Sequence, residues 1–342
     1  MNNKSHYPAV LGGDKVRKDP LPTYNMIGEE EKSAVMKVLD SGVLSGFAAQ
    51  PNKDFFGGPI IEKLENDYCE KFNSNFATAI NSATTGLHAA LAATGIGPGD
   101  EVIVPPYTMS ATATAVVYCG AVPVFADIEK DTYCLDPESV KTKISKNTKA
   151  ILTVNLFGLP SSLFKLRKLA DDNRIFLIED NAQAPGAIIK DKFTGTIGDF
   201  GIFSLNRHKA MQCGEGGVVL SNDLELTQRL RLVRNHGEVL VEAMGVKNIT
   251  NMVGLNYRMT NMEAAVAIEQ LKKLELINKP RIELASRLNY NLKNIEGVSS
   301  PKIREDCTHV YYFYAMKYDE EVVGIPRKTF CQAVEAEGFI LK

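Results

Sequence analysis

From residue 76 onward, short apolar runs recur with longer stretches of helical pattern between them. The runs are FATAI (76–80), EVIVP (101–105), VPVFADI (122–128), AILTVNL (150–156) and IFLIED (175–180). A strand wetted on one face alternates apolar with polar residues, whereas a near-continuous apolar run needs cover on both faces. The repeated unit therefore predicts a parallel sheet clothed by helices. The stretch TTGLHAALAATG after the first run reads as a helix, with Leu87, Ala90 and Leu91 on its apolar face. GIFSL (201–205) and GGVVLSN (216–222) are separated by a short loop, which predicts a hairpin-like pair or an antiparallel edge.

The pattern changes character further on. A long amphipathic helix is predicted over 261–278, capped by Thr260 or Asn261, followed by a second helix near 281–295 and a strand VYYFYAMKY (310–318). The predicted fold class is α/β: a large domain (1–260) with a mostly parallel central sheet flanked by helices, and a smaller C-terminal α/β domain (261–342). SGFAAQPNKDFFGGP (45–59) has no regular period and reads equally as the lining of a substrate mouth or as a surface loop. GIGPGD (95–100) imitates a nucleotide loop but follows a helix, so it is read as a turn.

Composition narrows the partners. The formal net charge is −2 and there is no basic tract, which excludes nucleic acid and a membrane surface as expected partners. No run reaches the ~18 apolar residues of a membrane span, and MNNKSHYPAV has no signal-like apolar core. The six cysteines (69, 119, 134, 213, 307, 331) lack CxxC spacing. They read as reduced thiols of a cytoplasmic protein, with no metal site expected.

In a doubly wound sheet, ligands collect beyond the carboxyl ends of strands, and four loops here answer that rule. INSATTGLH (80–88) brings backbone N–H groups and the Thr84 hydroxyl to a helix start, as an anion site or as a simple N-cap. PPYTMSATAT (105–114) sets an aromatic and a thioether beyond a strand, facing either a planar ring or the core. IEDNAQAPGA (178–187) ends a strand on an acidic pair, and a buried carboxylate needs a partner. Asp180 can hold a protonated ring nitrogen or cap the next helix, and Gln183 can donate to a neighbouring oxygen. FSLNRHKAMQCGEGG (203–217) offers the Ser204 hydroxyl and the Lys209 amine. A lysine among apolar residues and other cations loses its charge readily and becomes a nucleophile for aldehydes. Anion cradle, ring cover, carboxylate and lysine are the set that pyridoxal 5′-phosphate (PLP) requires.

These loops, together with PVFADI…TYCLDPESV, TKAILTVNLFG and LNYRMTNMEAA, resemble the DegT/StrS-type PLP-dependent sugar aminotransferases, of the fold type I (aspartate aminotransferase) superfamily. The resemblance runs from about residue 8 to the end. It implies that Lys209, five residues after Ser204 and five before GEGG, carries the cofactor covalently. It assigns Asp180 to the pyridine nitrogen, Gln183 to the ring hydroxyl, and Ser204, Ala83 and Thr84 to the phosphate. Met109 takes the ring-stacking position. Asn256 resembles an asparagine that reaches the phosphate of the neighbouring subunit, implying a homodimer with shared active sites, and Arg258 is a candidate contact for the donor's carboxylate. The implied reaction moves an amino group from glutamate or glutamine to a keto-sugar carried on a nucleotide, for surface polysaccharide or related amino-sugar biosynthesis. A keto-cyclitol acceptor and a PLP-dependent sugar dehydratase are the alternatives. Dehydratase relatives replace the lysine by histidine; here the register falls on Lys209, and His208 is expected to shape the pocket beside it.

Three departures stand out. The family usually has glycine where this chain has Ala83, and an aromatic residue where it has Met109. Its chains also run on past a segment like VEAEGFILK, so the smaller domain is expected to lack a final stretch.

Overall fold

Two helices, α1 (Glu29–Ser41) and α2 (Gly58–Phe72), lead into the strand β1 (Phe76–Ile80) in the computed structural model, which describes residues 7–22 and 24–341. There follow α3 (Ala83–Ala93), β2 (Glu101–Val104), α4 (Ala111–Tyr118), β3 (Val122–Phe125), α5 (Pro137–Lys143), β4 (Thr148–Val154), α6 (Leu163–Asn173) and β5 (Phe176–Asp180). A small hairpin, β6 (Ile188–Ile189) and β7 (Lys192–Phe193), precedes β8 (Phe200–Ser204), β9 (Gly217–Ser221) and α7 (Leu224–Arg234). The chain continues through α8 (Asn261–Lys272), α9 (Leu274–Leu292), a second pair of two-residue strands, β10 (Val298–Ser299) and β11 (Lys317–Tyr318), then α10 (Glu320–Val323) and α11 (Arg327–Ala336).

The seven-stranded sheet has the order β1-β9-β8-β5-β4-β2-β3. The pairs from β8 to β3 are parallel, and β9 runs antiparallel to both of its neighbours. The expected antiparallel pair is therefore present, but β9 lies inside the sheet and β1 forms the edge. Apolar runs cover both faces, as period-two geometry requires. Val102, Val104, Leu152 and Ile178 pack with α3 residues such as Leu87 and Leu91. Ile103, Ile151 and Leu177 pack on the other side with Val140, Leu166 and Ala170.

Backbone packing divides the chain into two compact units. The larger holds residues 27–285 and 302–313, and the smaller holds 286–301, 314–341 and the described residues up to Met26. Residues 261–285, expected in the smaller domain, belong to the larger unit. Thr260 and Glu263 cap α8 reciprocally, Ala264 and Ala267 are buried, and the Gln270 amide donates to Glu31 of α1 at 2.7 Å. In the smaller unit, Glu337 accepts from the backbone of Ala9 at 2.7 Å and of Val16 at 3.0 Å.

Two expectations need correction, and a third segment gains detail. The helix predicted over 261–278 ends at Lys272; the Lys273 ammonium lies 2.7 Å from Glu31, and Pro280 lies inside α9. VYYFYAMKY is not a strand. Tyr311 has φ 51°, which no extended strand tolerates, and only Lys317–Tyr318 pairs, with Val298–Ser299. Segment 45–59 is anchored: Lys53–Phe56 form a 3₁₀ turn, Phe55 is buried, and Phe47 lies under the Arg234 guanidinium at 4.7 Å.

Candidate active site

Because β4, β5 and β8 run parallel, their carboxyl ends open on one rim. Asp180 is the last residue of β5 and pairs with Val154 of β4 and Ile202 of β8. Ser204 ends β8 opposite Gly217. The acidic pair splits across the sheet. Glu179 is fully buried and accepts N–H groups from Gly195, Ile197 and Gly198 and an amide from Asn155, so it ties down the approach to β8. Asp180, its neighbour, turns to the other face, where the Ala182 N–H donates to it at 3.0 Å. Burial raises its carboxyl above the usual range, against the pull of that N–H and of the Lys209 charge.

Lys209 sits in a turn held by Asn206. The Asn206 carbonyl accepts from Lys209 N–H at 2.8 Å, its side-chain oxygen accepts from His208 N–H at 3.2 Å, and its amide donates to Glu215 at 2.8 Å. Lys209 is thereby turned inward, half-buried, with Nζ 4.8 Å from the centre of the Tyr312 ring. Burial lowers its pKa, and the Asp180 charge opposes that shift. The amine is thus partly prepared to act as a neutral nucleophile. The same turn leaves His208, expected to shape the pocket beside Lys209, exposed.

Gln183 faces this rim with a defined orientation. Its carboxamide oxygen accepts from the Phe157 N–H at 2.7 Å, which leaves the amide nitrogen as the donor side.

At the edge of the sheet, Ser82 caps α3 by accepting from Thr85 N–H at 3.1 Å. The first intrahelical bond runs from Gly86 N–H to Ser82, so the amides of Ala83 and Thr84 have no intrahelical partner. A Cβ on Gly217 would lie 2.9 Å from the Ala83 nitrogen and the Phe203 carbonyl oxygen. Only glycine lets β9 pass this close to the helix start. Ser204, itself buried, accepts from Asn206 N–H at 3.4 Å and keeps its own proton to donate.

The remaining candidates lie on exposed segments. Asn256 is exposed, and its side-chain oxygen accepts from Arg258 Nε at 2.9 Å, leaving the Asn256 amide facing outward. The flanking Tyr257 carbonyl accepts from Asn81 N–H at 3.0 Å, which ties this segment to the approach of α3. Met109 is 67% exposed, at the rim of a shallow cavity of about 460 Å³ bordered by Pro105, Thr114, Tyr118 and Phe125. His88 is buried and meets the Tyr257 hydroxyl at 3.1 Å.

Sequence reading missed an aromatic set at the same rim. Tyr107, Tyr133 and Phe157 follow β2, β3 and β4, with mutual ring-centre distances of 6.0–6.2 Å. Phe313 lies 6.0 Å from Phe157, and Tyr312 lies 4.7 Å from Phe313. The available signal was an aromatic residue one to five positions after each of three apolar runs, in PPY, DTY and LFG.

These residues suit PLP. Two unpaired helix-start amides and a buried hydroxyl meet where a glycine keeps the backbone open, a carboxylate stands at β5, and a half-buried amine stands beyond β8. Two curated relatives share most of the chain's length. The spore coat polysaccharide biosynthesis protein SpsC of Bacillus subtilis is 32% identical, over 91% of this chain and 79% of the relative. GDP-perosamine synthase of Vibrio cholerae is 34% identical, over 88% and 78%. A solved structure of GDP-4-keto-6-deoxymannose-3-dehydratase with a trapped PLP-glutamate geminal diamine superposes with a TM-score of 0.79, at 26% identity, over 94% of this chain and 85% of that one. Residues 25–340 match the DegT/DnrJ/EryC1/StrS aminotransferase family, and the chain belongs to it as a PLP-dependent aminotransferase.

Proposed function

We propose that this enzyme transfers the amino group of glutamate or glutamine to the ketone of a nucleotide-linked sugar. The observation that carries the reading is Lys209: half-buried beyond β8, with its pKa lowered by burial, and sensing the Asp180 charge. A dehydratase needs that position without an amine, and here the amine is present. The relatives' names supply the sugar class, since one makes a GDP-linked sugar and the other serves a spore coat polysaccharide.

When bound, PLP supplies a ring that takes up the electron pair released as the donor's α-C–H bond breaks. Lys209 would hold it, and its Nζ is the base that would take the α-proton of the donor and the acid that would return a proton to the sugar carbon that gains nitrogen. Asp180 would keep the proton on the ring nitrogen, and the Gln183 amide would donate to the ring oxygen. The Ala83 and Thr84 amides and the Ser204 hydroxyl would hold the phosphate, Met109 would cover the ring, and Arg258 would receive the donor's carboxylate.

In this reading the enzyme is a homodimer, with the outward amide of Asn256 serving the phosphate of its partner's site. Its place is the cytoplasm, which suits six cysteines that are all free; no helix among the described residues is long and apolar enough to cross a membrane. The test is to incubate purified protein with PLP, glutamate or glutamine, and a panel of nucleotide-linked keto-sugars and keto-cyclitols. Amino-sugar formation supports the reading. Amination of cyclitols alone, or ketone-dependent deoxygenation without amination, overturns it.

A further inference from the structure

We propose that Tyr107, Tyr133, Phe157 and Phe313 determine acceptor specificity by stacking on the ring of the keto-sugar itself; the proposal rests on the reaction just assigned.

The four rings are joined edge to face or tilted, in steps of 6.0–6.2 Å. Phe313 continues through Tyr312, 4.7 Å away, to the Lys209 amine. On the other side, the Phe157 N–H is bonded to Gln183. The set therefore begins where the reacting carbonyl must come and leads away from it. Two of its members keep large aromatic surfaces in the open, Tyr107 at 52% and Phe313 at 45% exposure.

The backbone bears a cost to present these rings. Tyr133 has φ 60° and Phe157 has φ 59°, left-handed conformations that bulky side chains rarely adopt. Such a conformation persists only where its surroundings enforce it. Here the Phe157 N–H bond to Gln183 and the Tyr133 N–H bond to the Glu129 carbonyl, 2.9 Å, do so. Neither conformation is required by a sheet or a helix, so the strain accompanies ring placement at the rim.

The chemistry of the set selects its ligand. All four side chains are neutral, so apart from two tyrosine hydroxyls they offer a diphosphate neither the charge nor the N–H donors it calls for. An uncharged ring with C–H faces, or a flat base, gains dispersion and stacking. Of these two, the sugar is the ring that must bring its carbonyl to Lys209, and the aromatic series starts there.

The test uses the holoenzyme with its best acceptor from the nucleotide-sugar panel, and the matching nucleoside diphosphate as a sugar-free probe. Tyr107→Ala and Phe313→Leu are each expected to raise the KM for the acceptor about tenfold, the scale of one lost aromatic stack. The glutamate half-reaction, read from cofactor absorbance, should keep its rate, and Tyr107→Phe should restore the acceptor KM. Affinity for the nucleoside diphosphate should be the same in native and variant proteins. An unchanged acceptor KM overturns the proposal. So does an equal loss of affinity for the nucleoside diphosphate, which would assign the rings to the base. A native enzyme that aminates no nucleotide-linked sugar removes the premise, an outcome visible before any variant is made.

Discussion

The Gln183 carboxamide and the Phe157 backbone are locked together by a 2.7 Å hydrogen bond that joins the loop after β5 to the loop after β4. One side chain thus holds a strained aromatic residue with its oxygen and faces the rim with its nitrogen. The two jobs separate by substitution. Gln183→Glu keeps the acceptor and loses the donor, so it should unfold at the native urea midpoint yet lose PLP faster on dialysis. Gln183→Ala loses both, and should in addition be less stable by about 1 kcal/mol, the cost of an unpaired half-buried N–H.

Asp180 and Lys209 oppose each other's burial shifts, and each has its own test. Borohydride should fix the cofactor to a single peptide that contains Lys209, and Lys209→Ala should abolish both labelling and transamination. Asp180→Asn should fold normally and lower turnover by about a hundredfold, within the range of losing a positioned proton-holding group. Unchanged turnover in Asp180→Asn would show that another group holds the ring nitrogen's proton.

His309 supplies a pH prediction independent of catalysis. It is buried, stacked on Tyr311 with ring centres 4.0 Å apart, and its Nδ1 accepts the Tyr311 N–H at 2.9 Å. Burial pushes its pKa down from the ordinary 6.5 to about 4. The unfolded chain therefore takes up this proton first as pH falls. Stability should be complete above pH 6.5 and decline toward pH 4, by about 3 kcal/mol at most from this group. His309→Asn, which cannot titrate, should flatten that part of the profile of urea midpoint against pH.

Assembly can be tested by mixing two inactive proteins. Lys209→Ala and Asn256→Ala would each spoil a different component of a shared site. Hybrids made by coexpression with separate tags should recover activity, because one of their two sites has both native residues. Hybrids no more active than either parent would assign the Asn256 side chain only to its bond with Arg258.

The sheet was legible because strands buried on both faces announce themselves: β2, β4, β5 and β8 coincide with apolar runs to within a few residues. The expected register of Lys209 rests on its spacing to Ser204 and GEGG in the family resemblance. What failed depends on contacts distant in sequence. The break at Lys273 accompanies a salt bridge to Glu31, more than two hundred residues earlier, and nothing local marks it. VYYFYAMKY has strand composition, yet its aromatic residues turn about a left-handed Tyr311. His208 and Lys209 are adjacent letters, and only the Asn206 turn decides which of them faces inward.

The placement of β9 has a consequence for synthesis. β1 is made first of the seven strands, yet among the described residues its only partner is β9, made last. Until residue 221 has left the ribosome, β1 is an open strand edge with nothing to pair with, and the helix start behind it lacks the backbone it packs against. The four strands from β2 to β5 can meanwhile associate in parallel as they emerge. Ladders closed across so long a stretch of chain form slowly and leave unpaired edges open to aggregation. Nascent chains stalled before β9 should thus be the species that chaperones hold.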